Sequence, residues 1–259
     1  MAPLATRLRT VGYVVRAPLG PGYGLGAGIT RGVDCFERWI EYFGGQFDEL
    51  VSRYSRVSIG GLCIGSSIAI EIAAKRATVV SLMLISTTLF YDGWNVPRMR
   101  ALLPLGYYTP LRSWYRVRET DPYGIKNPRL REWVGRQMHR TGASIAGAAS
   151  LPLTAIYQAQ RLIRVAKRSL RTVTVPALVM HARQDDVASL RSADLVCTSI
   201  GSREVTRLVF DDSYHMLTLD NERAAVAQAA VDFLERRTAV ARDELPVWGD
   251  LLPARAVSR

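Results

Sequence analysis

Four short runs, Arg56 to Gly60 (RVSIG), Val79 to Ile85 (VVSLMLI), Val175 to His181 (VPALVMH) and Val205 to Phe210 (VTRLVF), carry little polar alternation, and stretches of helical period separate them. A strand with one wet face alternates apolar and polar residues, whereas a strand apolar on both faces needs cover above and below. Helices between such strands supply that cover and make the connections that parallel pairing demands. The helical stretches are Asp34 to Tyr54, where Phe36, Trp39, Ile40, Phe43, Phe47, Leu50 and Val51 recur every three or four residues, Ser66 to Lys75, Ser192 to Ile200 and Glu222 to Arg237. Gly44-Gly45 weakens the middle of the first. A fifth strand is expected at Val11 to Arg16 (VGYVVR), ending in a Gly/Pro loop from Ala17 to Gly24. The chain is read as α/β, with a mostly parallel sheet and helices on both faces.

The rhythm breaks between residues 92 and 170. That stretch is rich in Pro, Tyr, Trp and Arg, and its expected helices, Pro128 to Arg140 and Ser144 to Ser169, come with no strand between them. Such an insertion is expected to cap the sheet, with a core of 1–91 and 171–237, a helical cap of 92–170 and a loose tail of 238–259. The formal charge of +11 belongs to the cap region: from Arg98 to Arg171 the chain carries 15 basic and three acidic residues, and the remainder is −1. A positive segment of this kind suits an anionic substrate, an acidic partner or membrane phosphates, or is a solvated Arg-rich face. No nucleic-acid-binding module accompanies it, and none is expected.

No apolar run reaches the ~20 residues of a bilayer span, and the basic start leads into no apolar stretch of a secretory signal. Integral membrane association is therefore not expected. Three cysteines, Cys35, Cys63 and Cys197, form neither a disulfide framework nor a paired zinc motif, which favours a reducing cytoplasm. Cys35 and Cys197 are read as core thiols, and the aromatics Trp94, Tyr107, Tyr108, Trp114 and Tyr115 as packing of the cap or lining of an acyl pocket.

Chemistry is expected where Gly60-Gly61-Leu62-Cys63-Ile64-Gly65 joins a buried strand to a helix. A G-x-nucleophile-x-G turn is tight enough to need small flanking residues, and it lifts the central side chain clear of the sheet. The helix dipole and the free N–H groups that follow favour a thiolate and can hold an oxyanion. After VPALVMH comes Ala182-Arg183-Gln184-Asp185-Asp186, and after VTRLVF comes Asp211-Asp212-Ser213-Tyr214-His215. Both place ionisable groups at the C-terminal ends of strands, where open α/β sheets build their sites. Asp186 competes with Asp185 as the acid. His181 is read as structural and His139 as a surface residue.

At these residues the chain resembles the α/β-hydrolase superfamily, in its carboxylesterase and monoacylglycerol-lipase-like branch, through GYVVRAPLGPGYG, VSIGGLCIGSS, VPALVMHARQDDVAS and DDSYHMLTLD, from about residue 5 to 236. The resemblance implies Cys63 as nucleophile, Asp185 as acid, His215 as base, the backbone N–H of Ile64 as an oxyanion donor, and the cap as a lid. Most of these esterases carry serine at the elbow; cysteine stands there in dienelactone hydrolases and polyhydroxyalkanoate synthases. The family also has a central strand and a His-Gly type loop that supplies a second oxyanion donor. Here the chain starts at about the helix that follows them, so the expectation is that the N-terminal strands are missing and that this start lies downstream of the family's.

The implied function is an acyl hydrolase, a carboxylesterase or thioesterase working through a Cys-His-Asp triad and a covalent acyl-enzyme. Its expected partner is a small acyl ester or thioester of anionic character; no cofactor and no metal are implied. Two alternatives stay open: an acyltransferase that passes the acyl group from the same cysteine, using coenzyme A or a carrier protein, and a non-catalytic binding protein of the same fold.

Overall fold

The computed structural model describes residues 1–20 and 35–243. Helices α1 (Ala2–Thr10) and α2 (Phe36–Val51) precede β1 (Val57–Leu62), α3 (Ile64–Lys75) and β2 (Val79–Ile85). A 3-10 turn (Arg98–Leu102), α4 (Leu103–Tyr107), α5 (Leu111–Trp114), β3 (Arg116–Arg118), α6 (Pro128–Thr141), β4 (Ala143–Ser144), β5 (Gly147–Ala148), β6 (Ser150–Pro152) and α7 (Leu153–Ser169) lie in the stretch expected to act as the cap. The sheet resumes with β7 (Ala177–Ala182), α8 (Arg191–Ser199), β8 (Val205–Phe210) and α9 (Arg223–Asp243).

The main sheet has four strands in the order β1-β2-β7-β8, every pair parallel. The pleat sends successive residues to opposite faces, and both faces are apolar because both are covered. On β2, Leu82 and Leu84 join the cluster formed with α2, α3, α7 and α8, while Met83 and Ile85 join the one formed with α1 and α9. On β7, Val179 faces the first cluster and Leu178 and Met180 the second. The mostly parallel sheet with helices on both faces is thus as the apolar runs require. Gly44 does not break α2: a side chain there would collide with the Arg76 guanidinium, which lies over it to pair with Asp48 at 2.7 Å.

Several local expectations are corrected. Val11 to Arg16 is not a strand; among the described strands β1 is the edge of the sheet, but the segment stands off it across a slot and makes no ladder, held instead by the Tyr13 amide on the Leu8 carbonyl and by Arg16 on Glu49. A slot of about 420 Å³ lies between the β1 edge and this segment, with Leu4 and Leu8 of α1, Val15 and Met83 among its walls. Residues 144–152 are not helical. Gly142, in the left-handed conformation at φ 73°, stops α6, and Pro152 caps α7, so the chain between them makes β4 with β5 and pairs β6 with β3, antiparallel in both cases. The cap therefore holds strands that its helical period conceals. Cys35 is exposed at the N-cap of α2, while Cys197 is half-buried against the core. Helix α9 runs on to Asp243, past the expected boundary at 237; the rest of the expected tail, 244–259, and residues 21–24 of the Gly/Pro loop lie outside the described residues.

Candidate active site

The turn between β1 and α3 holds Cys63 at φ 56°, ψ −121°, a left-handed conformation that costs a non-glycine residue of order 1–3 kcal/mol and persists only when surrounded by compensating bonds. Those bonds are present. The Cys63 amide donates to the Ile85 carbonyl at the end of β2 (3.0 Å), and the Ser66 hydroxyl donates to the Gly61 carbonyl (2.9 Å). Gly61 has no alternative, because a Cβ there would overlap the Gly65 backbone; a Cβ at Gly65 would meet nothing. One glycine of the motif is therefore demanded by space and the other is not.

His215 arrives on the loop after β8 and Asp185 on the loop after β7, both almost wholly buried. His215 Nδ1 lies 3.0 and 2.9 Å from the two carboxylate oxygens of Asp185. Asp185 Oδ1 also accepts from the amides of Val187 and Ala188, at 2.9 and 2.8 Å. The adjacent Asp186 turns the other way and accepts from the amides of Gly124 (3.1 Å) and His215 (3.3 Å). The two neighbouring carboxylates thus have separate work, one on the imidazole and one on the backbone that carries it.

Burial alone would raise the Cys63 thiol, but the charge of the nearby His215, the Thr88 hydroxyl and the Ile64 N–H together hold it below its usual value. Burial disfavours the charged imidazole, yet Asp185 and Cys63 outweigh it, and His215 stands well above its ordinary value. Burial works against the Asp185 carboxylate too, and His215 overcomes it, so its pKa is lowered. Asp186 is pushed up by burial. A thiol and an imidazole shifted in these opposite directions favour a thiolate–imidazolium pair, and such a pair can attack an electrophilic carbon and return a proton.

The residues that the sequence singled out are brought together: Cys63, Asp185 and His215 meet, and the Ile64 N–H faces the sulfur. His181, fully buried, instead bonds the Ala188 carbonyl (2.8 Å), and burial lowers its pKa; His139 is exposed. Two residues escaped the sequence reading. Thr88, just beyond β2, places its hydroxyl 3.3 Å from Cys63 Sγ. Glu119 stands at the mouth of the cavity over Cys63, open to solvent, yet with enough protein around it that burial raises its pKa. A strand-end Ser-Thr-Thr and one of only three acids in a basic segment were the available signals.

That cavity, about 340 Å³, is walled by the cap and the loops that carry the site, with Tyr91, Tyr123, Met138 and Leu151 apolar and Glu119 and Asp186 acidic. Among the described residues lining it there is no lysine or arginine. None of the five cap aromatics singled out in the sequence lines it; Tyr107 is buried against Tyr157 of α7, and Trp94, Tyr108, Trp114 and Tyr115 are exposed. Among the described residues, no group of three or more His, Cys, Asp or Glu is placed to hold a metal ion.

A family model described as serine aminopeptidase, S33, matches residues 1–222. A thermostable monoacylglycerol lipase of Bacillus sp. (strain H-257) is 23% identical over 242 residues, covering 91% of this chain and 85% of that relative. Among solved structures, one reported for the metagenome-derived lipolytic enzymes LipS and LipT superposes with a TM-score of 0.73 at 22% identity, over 90% of this chain and 86% of the other. The monoacylglycerol lipase of Paleococcus ferrophilus superposes with a TM-score of 0.66 at 18% identity, over 84% of this chain and 81% of its own.

Proposed function

The chain belongs to the serine aminopeptidase S33 family and has the α/β-hydrolase fold, and on that premise we propose that this ester hydrolase cleaves small carboxylic esters through Cys63, His215 and Asp185. The observation that carries the reading is the Asp185 carboxylate, 2.9 Å from His215 Nδ1, which leaves Nε2 of the imidazole for the Cys63 thiol. Nε2 is buried and, among the described residues, holds no fixed hydrogen bond, as suits a nitrogen that exchanges its proton with sulfur.

In the proposed reaction His215 Nε2 takes the Sγ proton and the thiolate bonds to the acyl carbon, moving the carbonyl electron pair onto oxygen. The Ile64 N–H, at the start of α3, receives that oxyanion. The electron pair returns, the bond to the leaving oxygen breaks, and the imidazolium gives the departing alcohol its proton. Water then adds to the thioester carbon with His215 as base, and sulfur leaves to regenerate the thiol and the carboxylic acid. Asp185 keeps the proton-bearing Nδ1 turned towards itself throughout.

The cavity favours a neutral acyl donor over the anionic one that the cap charge suggested, because beyond the Cys63–His215 pair its ionisable walls are the carboxylates of Glu119 and Asp186, with no lysine or arginine among the described lining residues. The named relative, a monoacylglycerol lipase, is in keeping with an uncharged ester. The test is turnover of a monoacylglycerol and of p-nitrophenyl butyrate, with intact-protein mass spectrometry during turnover. An acyl adduct on Cys63 that is absent from Cys63→Ala supports the proposal. Turnover that survives Cys63→Ala, or the absence of turnover on any ester, overturns it.

A further inference from the structure

Among the described residues no lysine or arginine lines the cavity over Cys63, so the basic excess of the cap acts elsewhere, and the outer face supplies a place. From Gly93 to Arg118 the chain has no aspartate or glutamate. The 3-10 turn, α4 and α5 turn their small inner face to the body of the protein: Gly106 and Tyr107 are buried, and Tyr107 meets Tyr157 of α7 at 5.2 Å between ring centroids. Their outer face carries Met99, Leu102, Leu105 (70% exposed), Tyr108 (74%), Leu111 and Trp114 (85%). Single exposed apolar residues need no explanation, but six large ones on one 16-residue stretch make a patch. Arg100, Arg112, Arg116 and Arg118 are exposed on the same segment.

We propose that this face of the cap is a peripheral docking surface for an anionic lipid bilayer. Large apolar side chains with an aromatic among them enter the boundary of headgroups and acyl chains, while arginines remain at the phosphates. No helix among the described residues is long and apolar enough to cross a membrane, so attachment is to one leaflet. Charge complementarity favours this occupant. Two copies of the patch would bring arginine against arginine, and a nucleic acid would leave the apolar residues without a use. The geometry also gives the attachment a purpose. The first turn of α7 lines the cavity through Ala155, with Pro152 just before it, and the same helix supports the patch through Leu153 and Tyr157. A surface held on a bilayer there sets the mouth of the site close to where lipid esters reside.

The experiment is co-sedimentation of the full chain with large unilamellar vesicles of phosphatidylcholine, with or without about 30 mol% phosphatidylglycerol. Binding to the anionic vesicles is expected, with release as salt is raised from about 0.1 to about 0.5 M. Arg100→Gln with Arg118→Gln lowers the partition coefficient by about 30-fold, from the attraction each arginine contributes near an anionic surface. Leu105→Asp with Trp114→Ala abolishes binding; both pairs are exposed and leave the circular dichroism melting curve unchanged. No sedimentation with either vesicle, or binding that both double variants retain, overturns the proposal. So does a dimer in light scattering that Leu105→Asp with Trp114→Ala dissolves, since the patch is then a contact between copies. Each reading is of binding and holds whether or not Cys63 hydrolyses esters.

Discussion

His215 Nδ1 and the Asp185 carboxylate are joined at both oxygens, 2.9 and 3.0 Å, and Asp185 is itself anchored by the amides of Val187 and Ala188. The imidazole is thereby fixed in tautomer and in plane by the loop after β7, an element separate from its own.

Asp185→Asn is expected to keep the fold and lower kcat by roughly 10³- to 10⁴-fold, because the amide no longer selects the productive tautomer. Asp186→Asn, whose remaining oxygen still accepts a backbone amide, loses far less. Steady-state kinetics of both on one ester decide the matter; equal losses would reassign the acid.

Alkylation of Cys63 by iodoacetamide is expected to rise with pH through a midpoint below the ordinary thiol value of 9.0. His215→Ala removes the charge that offsets burial, so the midpoint moves up and the rate at neutral pH falls about tenfold or more. An unchanged profile would mean that the two groups do not communicate.

His181, buried and held neutral below its ordinary 6.5, binds a proton more readily unfolded than folded. Its sign is therefore fixed: stability falls as pH drops below about 6.5. The raised pKa of His215 has the opposite sign, and its contribution is already complete at that pH. Asp185, with a lowered pKa, contributes stability above its ordinary 3.8 that disappears as pH falls through its folded value. Melting temperatures should decline in two stages on acidification, and His181→Gln should remove the first alone.

Glu119→Arg is expected to narrow, by about tenfold in kcat/KM, the preference for a neutral p-nitrophenyl ester over an anionic one such as a monosuccinate, as reversal of one charge at a water-accessible mouth. Glu119→Gln should fall between. A preference untouched by either would place the discrimination elsewhere in the cavity.

Gly93→Ala should destabilise the chain by about 1–3 kcal/mol and depress kcat, since a Cβ there overlaps the Asp186–Val187 backbone, to which Gly93 is tied by its amide at 3.0 Å on the Val187 carbonyl. Thermal melts and kinetics together test it; full stability would show that the acid loop yields.

The sheet and the meeting of Cys63, Asp185 and His215 were legible because strand period, apolar continuity and strand-end position are local signals that agree. What was not legible depends on partners far along the chain. Val11 to Arg16 has strand composition, but it stands off the open β1 edge across the slot, so no ladder forms. Ser144 to Pro152 has helical composition, but Gly142 and Pro152 set its ends and Arg116–Arg118 captures it as β6. Thr88 and Glu119 belong to no motif, and only the folded chain brings them to Cys63.

The slot along β1 has a consequence for handling. An unpaired edge is a template on which a second extended chain can add its backbone, the step by which soluble proteins begin to cohere into assemblies. Here the approach is lined by Arg16, Arg56 and Arg237 beside its apolar walls, with Arg16 held on Glu49 and Arg237 on Glu204. Colloidal behaviour should therefore follow ionic strength: salt that screens these ion pairs loosens the cover over the edge while leaving the edge intact.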